Sequence, residues 1–72
     1  MIEAVYEYSD WTPRQAAEAF ARSFPEPRAK RDIQPISETS FGFTFRLVGG
    51  RHTYRVRWEQ QKRGYVIARL TV

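Results

Sequence analysis

Phe41, Phe43, Phe45 and Leu47 alternate with Gly42, Thr44, Arg46 and Val48, and the run stops at Gly49-Gly50. Strict alternation marks a strand with one buried face, and paired glycines supply the positive φ angles that a two-residue hairpin turn needs. Folding the chain at Gly49-Gly50 sets Phe41 opposite Trp58, Phe43 opposite Val56, Phe45 opposite Tyr54 and Leu47 opposite His52, all on one face. A slip of one residue would bury arginines, so the pattern specifies this register. Lys62-Arg63-Gly64 then fits a three-residue loop with Gly64 in the left-handed region, followed by a third strand from Tyr65 to Val72. An odd loop sends Val66, Ala68, Leu70 and Val72 to the apolar face. The opposite face then displays Thr44, Arg46, Thr53, Arg55, Arg57, Tyr65, Ile67, Arg69 and Thr71.

The first part of the chain changes period. Ile2 to Tyr8 reads as a strand with Ile2, Ala4, Tyr6 and Tyr8 on one side and Glu3, Val5 and Glu7 on the other. Thr12-Pro13-Arg14-Gln15 is a helix start: Thr12 as N-cap, Pro13 where no N–H is needed, and Gln15 closing a capping box. The helix is expected to reach about Phe24. Ala16, Ala17, Phe20, Ala21 and Phe24 share its apolar face, and Arg14, Glu18 and Arg22 form a charge ladder on the other. Pro25-Glu26-Pro27 ends it and Arg28-Ala29-Lys30-Arg31 follows as a basic connection. Pro35 restricts any strand over Asp32 to Ser37 to a short edge segment, and Ser37-Glu38-Thr39-Ser40 reads as a turn. The expectation is one α+β domain over residues 1–72, ordered β-α-β-β-β, with the helix packed through Phe20 and Phe24 on a mainly antiparallel sheet.

Composition narrows the chemistry. With 72 residues the core is small, and with no cysteine it has no disulfide to reinforce it, so aromatic side chains at 15% of the chain are the expected source of stability. Absence of cysteine also removes a thiolate nucleophile and a zinc finger, and makes the cytoplasm the default setting. No apolar run is long enough to span a bilayer. Trp11 and Trp58 could be anchors at an interface, where tryptophan and arginine dominate; the favoured reading makes both core residues, with Trp11 a hydrophobic staple on the first helical turn.

Charge is divided unevenly. From Phe41 onward the basic residues are Arg46, Arg51, Arg55, Arg57, Lys62, Arg63 and Arg69 against the single acid Glu59, within a net charge of +4 and a pI near 10.0. Guanidinium forks fixed on a sheet match phosphates and carboxylates. With Tyr65 and the loop cations these arginines form an electrostatic footprint for a polyanion, DNA or RNA, or for an acidic protein surface. One aromatic on that face gives base stacking little support. Acids on the sheet, Glu3, Glu7 and Glu59, offer the plainer alternative of a solvated face with cross-strand ion pairs.

His52, at the rim of the apolar face, is read as a packing residue; no triad or carboxylate pair assembles, and no metal or cofactor is implied. The leading expectation is a non-catalytic binding module that docks through its arginine face on nucleic acid or on a complex that handles nucleic acid. Phages and mobile elements often encode proteins of this size as inhibitors, anti-CRISPR proteins among them. A monomer is favoured over an oligomer. A subunit of a larger assembly, bound to an acidic protein surface, is another reading.

Tyr54-Arg55-Val56-Arg57 followed by Gly64-Tyr65-Val66-Ile67 resembles the C-terminal strands of RelE-type endoribonuclease toxins, which share the helix-then-sheet order and basic strands. Those toxins usually carry two helices before the sheet where this chain offers one. The resemblance implies an alternative in which Arg55, Arg57, Tyr65 or His52 cleaves RNA.

Overall fold

A computed structural model describes residues 2–23, 32–39 and 42–70. The elements are β1 (Ile2–Tyr6), α1 (Pro13–Ser23), β2 (Ile33–Thr39), β3 (Gly42–Leu47), β4 (Thr53–Glu59) and β5 (Gly64–Leu70). The strands form one antiparallel sheet in the order β1-β5-β4-β3-β2, with α1 laid across one face. The α+β class and the single helix match the sequence expectation. The edge segment is larger than expected: β2 runs through Ser37, Glu38 and Thr39, which pair with β3 instead of turning. Pro35 is accommodated because β2 lies at the sheet edge, with a bulge between Pro35 and Ser37. The first strand joins the other edge by pairing with β5.

The helix begins as its sequence dictates. Thr12 N–H donates to Gln15 Oε1 at 2.7 Å and Gln15 N–H donates to Thr12 Oγ1 at 3.2 Å, completing the capping box. Ala16, Ala17, Phe20 and Ala21 are buried, and the small alanines let the Phe20 ring sit edge-on to Phe45 and Tyr54 at centroid distances of 6.1 and 4.9 Å. Phe24 and the basic connection with Arg28, Lys30 and Arg31 lie outside the described residues, as do Phe41 and Val72.

The β3–β4 register is the one the alternation specifies: Phe43 faces Val56 and Phe45 faces Tyr54. The connection is wider than a two-residue turn. Gly50 N–H bonds to the Leu47 carbonyl at 2.8 Å, and only Gly49 of the pair has a positive φ, 82°. His52 ends this loop, exposed, with its ring 6.4 Å from Tyr54.

The β4–β5 hairpin overturns the expected faces of β5. Glu59 pairs with Gly64, so four residues, 60 to 63, make the connection, and Arg63 takes the left-handed conformation at φ 50°. Tyr65, Ile67 and Arg69 therefore share the helix side with Trp58, Val56 and Tyr54, while Val66, Ala68 and Leu70 share the other side with Arg57, Arg55 and Thr53. The helix side gains the larger side chains. Ile67 is fully buried, and the Tyr65 hydroxyl donates to the Trp11 carbonyl, which locks the turn before α1 onto β5. Arg69 is tolerated there because Glu3 lies 3.8 Å from it.

In β1 a bulge between Ile2 and Ala4 also changes faces: Ala4 and Tyr6 lie on the helix side, but Ile2 pairs with Ala68 and joins Val5 on the other. Tyr8 is beyond the strand, stacked on Trp11 at 4.4 Å. Trp58 is not a core residue; it remains 40% exposed.

Candidate polyanion-binding face

No described element covers the sheet face opposite α1. Three of the sequence-selected arginines lie there: Arg46, Arg55 and Arg57, all exposed. Arg55 and Arg57 are two residues apart on β4, hence about 6.8 Å along the strand. Since β4 is the middle strand, they sit at the centre of the sheet. Arg51 lies in the loop before β4, and Lys62 and Arg63 in the loop after it. The cations thus follow the long direction of one strand, from one end of the sheet to the other.

Local contacts hold these side chains. The Cγ and Cδ atoms of Arg55 lie over Gly42, where a Cβ would come within 3.2 and 3.4 Å of them. Arg46 Nη2 donates to the Gly50 carbonyl at 3.4 Å, and Arg57 stands 3.7 Å from Glu59. The Arg57 side chain is 60% exposed, so this pair is a screened surface contact of small worth. Arg55, Arg57, Ala68 and Leu70 line a shallow trough of about 400 Å³ on the face.

Two sequence-selected residues leave this face. Tyr65 is buried against α1, and Arg69 is half-buried opposite Tyr54 beside Glu3. Sequence reasoning assigned them to the arginine face because it counted an odd loop. In their place the face carries an aliphatic strip, Ile2, Val5, Val66, Ala68 and Leu70, of which Ile2 and Val5 are exposed. The residues of the ribonuclease alternative do not meet: His52 lies in the loop before β4, Tyr65 on the helix side, and Arg55 and Arg57 on the open face.

A group of three or more His, Cys, Asp or Glu side chains that could hold a metal ion does not occur among the described residues. No helix among them is long and apolar enough to cross a membrane. The fold and face define a small two-layer α+β module with an open, arginine-bearing sheet. Set against protein-family models, curated proteins and solved structures, the chain matches none of them.

Proposed function

We propose that this protein is a non-catalytic binding module whose open sheet face holds a nucleic acid. The observation that carries this reading is the line of cations along the middle strand, Arg51, Arg55, Arg57 and then Lys62 and Arg63, flanked by Arg46 on β3. A linear array of fixed guanidinium groups suits a linear polyanion, whose phosphates each displace a counterion on binding. Glu59, 3.7 Å from Arg57, is the sole acid in sequence from Phe41 onward, so β3, β4 and β5 carry far more positive than negative charge.

The test is a titration of labelled duplex DNA, single-stranded DNA and RNA at several salt concentrations. Wild-type protein is expected to bind at micromolar or tighter concentrations. Arg55→Ala/Arg57→Ala is expected to weaken binding and flatten the salt dependence by about one unit of slope per lost phosphate contact. Arg69→Ala, on the helix side, is expected to leave the slope unchanged.

The aliphatic strip beside the arginines favours a second reading, an acidic protein surface, since phosphates gain nothing from Val5, Ala68 or Leu70 whereas a protein partner buries them beside arginine anchors. An inhibitor of a nucleic-acid-handling complex, such as an anti-CRISPR protein acting in the cytoplasm, is the form this reading takes. No binding of any nucleic acid at about 0.1 M salt, where close contacts still survive screening, would decide for it.

A further inference from the structure

We propose that Trp58 is a stacking platform for an unpaired base, so that the nucleic acid held on the open face is single-stranded; this rests on the nucleic-acid reading above. The alternation of β4 assigns Trp58 to the core, yet its side is left uncovered beyond the end of α1 and the residue is 40% exposed. Its ring is nonetheless fixed. It meets Tyr65 edge-on at 5.1 Å, and its indole N–H donates to Gln60 Oε1 at 3.2 Å. Tyr65 is itself anchored through its hydroxyl to the Trp11 carbonyl. A pre-oriented ring costs a ligand little ordering entropy, which a mobile surface tryptophan would not spare it.

Trp58 forms the ridge between two hollows. One, of about 430 Å³, has Phe43, Val56, Tyr65 and Pro13 in its wall and Arg57 at its margin. The other, of about 530 Å³, is lined by Glu7, Ser9, Gln60 and Arg63 together with Trp58. Both fall within the size range of clefts that take small molecules. Arg57 lines both the trough that holds Arg55 and the first hollow, so although Trp58 projects from the helix side of β4, a strand laid along the arginines reaches it by turning round the end of the sheet at Arg57. On the far side Arg63 projects from a backbone turn in the left-handed region, closed by its N–H to the Gln60 carbonyl at 3.3 Å.

An aromatic face beside a cationic line is the arrangement by which sequence-tolerant single-strand binders work, because every base has a π-face but shows it only when unstacked. The acids give the arrangement a direction. Glu38 in the first hollow and Glu7 in the second repel phosphate, so the backbone is placed on the arginines and the base in a hollow, where carboxylates accept from its ring or amino N–H groups. A duplex, with its bases stacked, reaches only the arginines.

The experiment measures fluorescence anisotropy of a labelled oligothymidylate of about twelve nucleotides and of a duplex of equal length. The proteins are wild type, Trp58→Leu, Trp58→Phe and Arg55→Ala/Arg57→Ala, each checked for folding by circular dichroism. Trp58→Leu keeps apolar packing against Tyr65 but has no ring face. It is expected to weaken single-strand binding about tenfold or more while leaving the duplex affinity and the salt slope unchanged, and Trp58→Phe is expected to retain most of the single-strand affinity. Duplex bound as tightly as single strand, or single-strand binding unaffected by Trp58→Leu, would overturn the stacking role and leave the arginine reading standing. Binding of neither probe by the wild type would overturn both. If Trp58→Leu does not fold, loss of single-strand preference in the folded Trp58→Phe protein would still support the proposal, and full retention of affinity and preference in it would count against it.

Discussion

Gly64 illustrates how one residue's role depends on a partner distant in sequence. The chain marks it as a turn glycine, but the residue in the left-handed conformation is Arg63, and Gly64 is already the first residue of β5. What Gly64 provides is the absence of a side chain: a Cβ there would lie 2.7 Å from the Tyr6 carbonyl oxygen on β1. That atom is backbone and cannot swing aside. Gly64→Ala is therefore expected to destabilise the fold by about 1–3 kcal/mol, read as a lower urea midpoint. Trp58 shows the same dependence in reverse. Its alternation with Val56 and Tyr54 is legible, whereas its exposure follows from where the eleven-residue helix happens to lie.

Among the elements, α1 is the one most fully written in its own residues. Its cap, its first proline and its alanine face all act within a turn or two of each other, so the sequence suffices to place them. Thr12→Ala removes the acceptor for the Gln15 N–H and is expected to cost about 1 kcal/mol in thermal or urea unfolding. Strand β5 is the opposite case. Tyr65 and Ile67 form one apolar set and Val66, Ala68 and Leu70 another, so a period of two does not choose between them. The four-residue loop chooses, and it is favoured because it buries Ile67 under α1 and gives Tyr65 a partner in Trp11. Ile67→Asn is accordingly expected to unfold the protein or cost several kcal/mol by burying an unpaired amide. Ala68→Asn, on the half-exposed open face, is expected to stay within about 1 kcal/mol of wild type. The reverse ranking in a denaturant series would restore the odd-loop register. In β2 the polar run Ser37 to Thr39 carries no burial pattern, since every residue after Ile33 is exposed, and its pairing is supplied by β3.

The described residues form two layers, one helix on five strands, with most of the core on the side that α1 covers and Arg46, Arg55 and Arg57 on the side that no described element covers. Protection should follow this plan. Amides of β4 and of its neighbour β5, each paired on both sides, are expected to exchange with solvent more slowly than those of the exposed edge strand β2, measured by hydrogen exchange. The sequence by itself determined the helix and its cap, the β3–β4 register, the α+β class and the concentration of cations on and around β4. These rest on neighbours a few residues apart or on a strict alternation that a slip would ruin. Only the tertiary structure decided that Tyr65 and Arg69 leave the arginine face, that an aliphatic strip takes their place, and that Trp58 stands half-exposed on the helix side. Those outcomes depend on contacts between β1, β5 and the helix, where the chain's apolar residues permit either face and the packing of the larger side chains settles which one is buried.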